Sequence, residues 1–120
     1  MLMEEILAGE SKTVEFKESL PEKSIKYMKT VVAFANGNGG RLLFGVKDDT
    51  YKVTGISNET VFKTMDAIIN AISDSCEPLI VPDISLQEIE GKTIIIVDIL
   101  PGTQRPYYIQ SMGIHNGTFI

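Results

Sequence analysis

The stretch A-F-A-N-G-N-G-G-R-L-L-F-G-V-K-D-D, residues 33–49, decides the fold. An apolar helix end runs into Asn36–Gly40, which is all glycine and asparagine. A short apolar strand, Arg41 to Val46, follows at once and empties into Asp48 and Asp49. Gly and Asn tolerate positive φ and close backbone approach, so the run lets a helix stop, reverse and enter a buried strand within a few residues. It leaves Asp48 and Asp49 at the carboxyl end of that strand, a common place for ligand or metal groups in α/β domains.

Upstream, residues 2–8 read as a short helix with Leu2, Ile6 and Leu7 inward and Gly9 as its stop. Thr13–Phe16 has strand character. Ser19-Leu20-Pro21-Glu22 places Ser, Pro and Glu as a helix start would. The spacing of Ile25, Met28, Val32 and Ala35 predicts a helix over about 21–36. Downstream, residues 48–51 read as a turn and Lys52–Ile56 as a strand forming a hairpin with Arg41–Val46. Ser57-Asn58 offers an N-cap for a helix near 59–75, where Val61, Met65, Ile68, Ile69 and Ile72 give the clearest helical period in the chain. Asp83–Glu90 alternates weakly, Glu90-Gly91 is a turn, and Lys92–Leu100 holds an I-I-I-V run expected of a central strand buried on both faces. Tyr107–Gln110 and Ile114–Ile120 read as short edge strands. The expectation is a mixed α/β domain, with a central mixed β-sheet of about five or six strands flanked by two main helices.

The 120 residues suffice for one domain with its own core. A 43% hydrophobic content and a mean hydropathy of +0.08 fit a soluble globular chain, and no apolar run is long enough to span a bilayer. The N-terminus carries acids where a signal peptide would carry bases, so the cytoplasm is the default compartment and no membrane partner is expected. The lone Cys76 forms no internal disulfide and, with only His115 beside it in composition, builds no zinc site. A net charge of −5 argues against a generally basic nucleic-acid binder. The charge is uneven, however: residues 1–52 balance eight basic against eight acidic side chains, while residues 53–120 hold three against eight. A polyanion contact belongs in the first half.

One constellation could carry chemistry: Glu10, Glu15, Lys17 and Asp48. Residues two apart on a strand share a face, so Glu15 and Lys17 point together while Phe16 turns to the core. Carboxylates beside a lysine are a common build for metal-dependent nucleases, with oxygen ligands holding Mg²⁺ or Mn²⁺ and the lysine stabilising charge. In a chain with sixteen acids the same pattern also arises as a solvated strand face. The glycine run lacks P-loop spacing and precedes a strand instead of a helix, which favours a turn over a phosphate cradle. Lys23, Lys26 and Lys29 sweep across adjacent turns of one exposed helix surface, either a solvated face or a phosphate-contacting stripe. Tyr107 and Tyr108 beside Arg105 could stack on bases.

The segments L-A-G-E-S-K-T-V-E-F-K-E-S-L (7–20), V-V-A-F-A-N-G-N-G-G-R-L-L-F-G-V-K-D-D (31–49), V-T-G-I (53–56) and R-P-Y-Y-I (105–109) together resemble the Schlafen-type Alba-like domain. That bacterial module is regarded as DNA-binding and occurs in transcriptional-regulator-like and helicase-related proteins, usually followed by further domains. The resemblance implies that residues 1–120 form one such domain, the N-terminal part of a longer protein. It also implies nucleic acid as a partner. The leading reading is therefore nucleic-acid binding, with Lys12, Lys17, Lys26, Lys29, Arg41 and Arg105 as the expected phosphate contacts. In animal Schlafen proteins the fold is an RNA-cleaving core with three acids, matched here by Glu10, Glu15 and Asp48. The alternative reading is therefore a ribonuclease with Mg²⁺ or Mn²⁺ on those carboxylates and Lys17 beside them. Animal cores pair two modules, a pairing that a homodimer of this chain would restore. A third reading is a regulatory or oligomerisation module without nucleic acid.

Overall fold

The computed structural model describes residues 2–120. Helix α1 (Leu2–Ala8) leads into strand β1 (Val14–Lys17), helix α2 (Ile25–Asn36) and strand β2 (Gly40–Phe44). Helix α3 (Val61–Ser75) follows, then the two-residue strand β3 (Cys76–Glu77) and the hairpin of β4 (Asp83–Ile89) and β5 (Lys92–Ile99). Strand β6 (Tyr108–Ile109), one 3-10 turn and the short helix α4 (Gly113–Asn116) complete the described chain. The fold is mixed α/β, with six strands among the described residues. Four form the central sheet in the order β1-β2-β5-β4, and β3 and β6 pair separately. The β1–β2 pair is parallel, with α2 as its crossover, and the remaining pairs are antiparallel.

Alternation along the strands gives the sheet two apolar faces. Leu42, Phe44, Ile95 and Val97 pack under α2 and α3, against Met28, Val32, Ile68 and Ile72. Phe16, Leu43, Ile94 and Ile96 pack on the opposite face, under Leu2 and Ile6 of α1. Strand β5 is buried on both sides, as its I-I-I-V run predicts. The buried stripe of α2 is wider than the spacing of small apolar residues shows. It takes in Tyr27, edge-on to Phe44 at 5.6 Å, and burial pushes its phenol above the usual range. Cys76 belongs to the same core, and burial pushes its thiol up to about 11. At neutral pH it is a protonated packing atom with no nucleophilic character.

The glycine run does what its composition dictates. Gly39 has φ +82°, and a Cβ there would lie 2.7 Å from the Ile99 carbonyl oxygen. At the far end of β2, Gly45 (φ +108°) lets the chain leave the sheet while lying backbone against backbone on Gly55. Asn36 closes the unit. Its Nδ2 donates to the carbonyls of Tyr107 and Phe119, each at 2.9 Å, and its Oδ1 accepts from the Tyr107 N–H at 2.7 Å.

Four expectations are corrected. Leu7 is exposed, because the stripe of α1 needs only Leu2 and Ile6. Helix α2 begins at Ile25 after Ser24, not near Pro21. Leu20 packs half-buried against the core, and a residue before proline avoids helical backbone. The hairpin expected of 52–56 is reduced to a single bridge, Val46 to Val53, because Gly45 turns the chain off the sheet and its carbonyl takes the Thr54 and Gly55 N–H groups. Residues 114–120 form no strand. Gly113 (φ +75°) starts α4, and the Gly117 carbonyl returns to the Ile109 N–H.

The Asn36→Ala variant is expected to lose about 2–4 kcal/mol, at roughly 1 kcal/mol for each of its hydrogen bonds plus the unpaired partners left behind. Urea denaturation measures this directly. A loss below about 0.5 kcal/mol, the range of an ordinary surface substitution, would remove the clamp from the account.

Candidate nucleic-acid interface

Strand β1 is an edge of the sheet, and an edge strand presents unpaired backbone groups. The groups of Thr13 and Lys17 face β2, where the Thr13 carbonyl accepts from the Arg41 N–H and the Lys17 carbonyl from Gly45 and Val46. Val14 and Phe16 therefore face outward. Glu10 meets them: its Oε2 accepts from the Phe16 N–H at 2.9 Å, and the Ser11 N–H donates to the Val14 carbonyl at 2.9 Å. Glu10, singled out as a candidate ligand, thus caps the free edge of β1.

Parity places Glu15 and Lys17 on the α2 side of the sheet, opposite in direction to the buried Phe16. Glu15 Oε2 accepts from Thr30 Oγ1 at 2.9 Å and lies 3.6 Å from Lys17 Nζ. This contact sets the strand and helix side by side. Helix α2 runs back along β1, so Lys26, one turn before Thr30, stands toward the Lys17 end. Ala33 and Gly37, one and two turns after it, border a shallow groove that also holds Lys12 and Thr13. Lys12, Lys17 and Lys26 thereby share the β1–α2 edge, with the acids Glu10 and Glu15 among them. Lys29 lies on the neighbouring side of α2, its Nζ 5.5 Å from the centre of the Phe119 ring.

The two arginines are placed differently. Arg105 Nη2 donates to the Gly37 carbonyl at 2.9 Å and its Nε to Gly102 at 3.1 Å, so its charge sits at the negative end of α2. Arg41 is on the other face of the sheet. Its Nε and Nη2 donate to Asp98 at 2.7 and 3.3 Å, and its Nη1 to Glu5 at 2.8 Å. The Asp98 hydrogen bond leads in holding the guanidinium above its already high range. That fork is filled by carboxylates and separated by the sheet from the lysines.

Asp48 is exposed in the turn after β2. Tyr51 anchors this turn, its ring edge-on to Phe16 at 5.6 Å and close over Gly9. The turn is therefore carried to the region where Gly9, Glu10 and β1 meet. Yet among the described residues no three His, Cys, Asp or Glu side chains are gathered so as to hold a metal. One oxygen of Glu10 is committed to the Phe16 N–H and one of Glu15 to Thr30 and Lys17. As placed among the described residues, this donor set does not fit a Mg²⁺ or Mn²⁺ centre.

Sequence reasoning missed Thr30, Tyr51 and Asn36. Thr30 had a signal, a hydroxyl one turn after Lys26 on a helix beside a Glu-bearing strand. Tyr51 and Asn36 act through contacts that only the folded chain makes.

A mixed sheet with one parallel β-α-β unit and its glycine turn define a mixed α/β domain. The chain belongs to the Schlafen, AlbA_2 family, which matches residues 10–119. It is 35% identical over 77 residues to an uncharacterized ATP-binding protein of Ureaplasma parvum, a match covering 63% of this chain and 21% of that protein. The chain thus spans about a fifth of that curated relative's length. Among solved structures it is similar to the N-terminal domain of a protein of Nitrosomonas europaea related to the ATP-dependent DNA helicase RecG. The TM-score is 0.70 at 25% identity, covering 98% of this chain and 84% of that one. The DIP2311 protein of Corynebacterium diphtheriae shares the fold, with a TM-score of 0.61 at 21% identity over 91% of this chain and 23% of its own. No described helix is long and apolar enough to cross a membrane.

In the Glu10→Ala variant, the Phe16 amide is expected to exchange with solvent at least about tenfold faster, and stability to fall by about 1–2 kcal/mol, as a charge-assisted bond to an edge N–H is lost. Hydrogen exchange read by NMR checks this. An unchanged Phe16 rate would show that Glu10 does not protect the strand.

Proposed function

We propose that this domain binds nucleic acid through its β1–α2 edge, by contacts of Lys12, Lys17 and Lys26 to the phosphate backbone, with Lys29 and Arg105 at the flanks. The observation that carries the reading is the alignment of three lysines along one sheet-and-helix edge in a chain whose overall charge is −5. Screening at physiological salt acts over about 8 Å, so a local row of cations attracts phosphates even where distant acids set the net charge. The similarity to the N-terminal domain of a RecG-related protein supports the same reading. Lysine contacts carry no base readout, so the expected binding is tolerant of sequence.

Arg41 is left out of this interface, since its donors are filled by Asp98 and Glu5. Freeing it would cost those bonds and leave two carboxylates unpaired. Its role in the reading is to hold β2, β5 and α1 together beneath the edge.

The logarithm of affinity for a labelled oligonucleotide is expected to fall linearly with the logarithm of salt concentration, with a slope of about −2 to −3 for three lysine contacts. The double variant Lys12→Ala/Lys26→Ala should lower that slope by about 2, while Arg41→Ala should leave it unchanged. Fluorescence anisotropy over a salt series reads both. An affinity indifferent to salt, or titrations flat with both DNA and RNA, would overturn the reading in favour of a protein-interaction module.

A further inference from the structure

The two edges of the sheet are treated differently. On β1 the outward Phe16 N–H is met by Glu10 and the outward Val14 carbonyl by Ser11. Strand β4, seven residues long, pairs only with β5 and carries no lysine, proline or bulge, its register running one to one from Asp83 to Ile89. Its outward groups follow from the hairpin. Glu90 and Gly91 both have positive φ, 52° and 77°, the two-residue turn that makes Ile89 and Lys92 a hydrogen-bonded pair. Counting back by twos, Gln87, Ser85 and Asp83 bond to β5, and Ile84, Leu86 and Glu88 face away. The Thr93 carbonyl agrees: it turns from its opposite number Glu88 and accepts from the Ile56 N–H at 2.8 Å. Among the described residues, no backbone partner outside β4 is found for Ile84, Leu86 or Glu88. At their centre Leu86 is 37% exposed.

We infer that β4 is a self-association edge, and that its occupant is β4 of a second copy of this chain, antiparallel about a twofold axis at Leu86. The three outward residues are symmetric about Leu86, so one register pairs all of them. Leu86 meets Leu86 of the partner subunit, and Ile84 meets Glu88 of the partner subunit in both directions. That register closes a twofold contact in which the same patch serves both copies. It also suits the charges: Glu88 lies opposite isoleucine, Asp83 lies opposite Ile89 of the partner subunit, and no acid faces an acid. The same pairing brings the partner subunit's Gly91 beside Val81, an apolar side chain 75% exposed just before the strand. A single strand pair is small beside the roughly 1,000 Å² that a stable interface buries, so the dimer forms by mass action at high concentration.

The test is sedimentation of the whole chain between about 10 µM and about 1 mM, with amide exchange at both ends of that range. The expected result is a mass rising from monomer to dimer, and amides of Ile84, Leu86 and Glu88 at least about tenfold slower at the higher concentration. Leu86→Lys places two cations face to face on the axis and should return the chain to monomer with an unchanged circular dichroism spectrum. Phe62→Lys, at another exposed apolar residue on α3, should dimerise like the parent. A monomeric mass throughout, a dimer that survives Leu86→Lys, or exchange at those three amides that ignores concentration would each overturn the inference.

Discussion

The end of α2 is the constraint on which the rest of the structure depends. A helix terminus leaves carbonyls without partners, and here they are met from the far end of the chain. Gly102 donates to the Ala35 carbonyl, Arg105 to that of Gly37, and Gly37 and Gly39 turn back onto Phe34. Asn36 spends its whole amide on Tyr107 and Phe119. The short turn at Gly39 can then deliver the chain directly into β2, between the parallel partner β1 and the central strand β5. Had α2 run one turn further, β2 would enter the sheet out of register, and every side chain along it would change neighbours or face.

With β1, α2 and β2 fixed in this way, the surface follows. Because the crossover helix returns along β1, the contact between Thr30 and Glu15 sets the spacing of helix and strand. The lysines at 12, 17 and 26 are brought to one edge from three separate parts of the sequence. The acids near them serve the fold first: Glu10 closes the strand edge, and Glu15 ties strand to helix. In the proposed reading it is this lysine edge, and not a carboxylate cluster, that meets a polyanion.

Much of the architecture was legible in the sequence because it rests on local periodicity. The 3.6-residue period of α3 and the unbroken apolar run of β5 each have one physical reading, and the glycine run marks the turn. The errors fall where a distant contact outweighs local preference. Ser19-Leu20-Pro21-Glu22 has the chemistry of a helix start, but Leu20 packs half-buried against the core and the helix begins only at Ile25. Residues 114–120 read as a short edge strand, yet Gly113 opens a short helix that ends at Asn116, and the Gly117 carbonyl just beyond it accepts from the Ile109 N–H. The candidate site was legible in part. Two-residue parity put Glu15 and Lys17 on one face, as found. Arg41 could not be read as a structural cation, because only the register of β2 against β5 places Asp98 opposite it. Likewise, nothing local to Glu10 reveals that the Phe16 N–H points at it.

The central claim is that the β1–α2 edge is where the molecule meets nucleic acid. Its most direct test is an NMR titration of the labelled domain with a short oligonucleotide, following backbone amides and lysine side chains. The account predicts perturbations that concentrate on Lys12, Lys17, Lys26 and Lys29 and leave the Arg41–Asp98 pair unmoved. Perturbations centred on the Arg41 face of the sheet, with the β1–α2 edge silent, would contradict it.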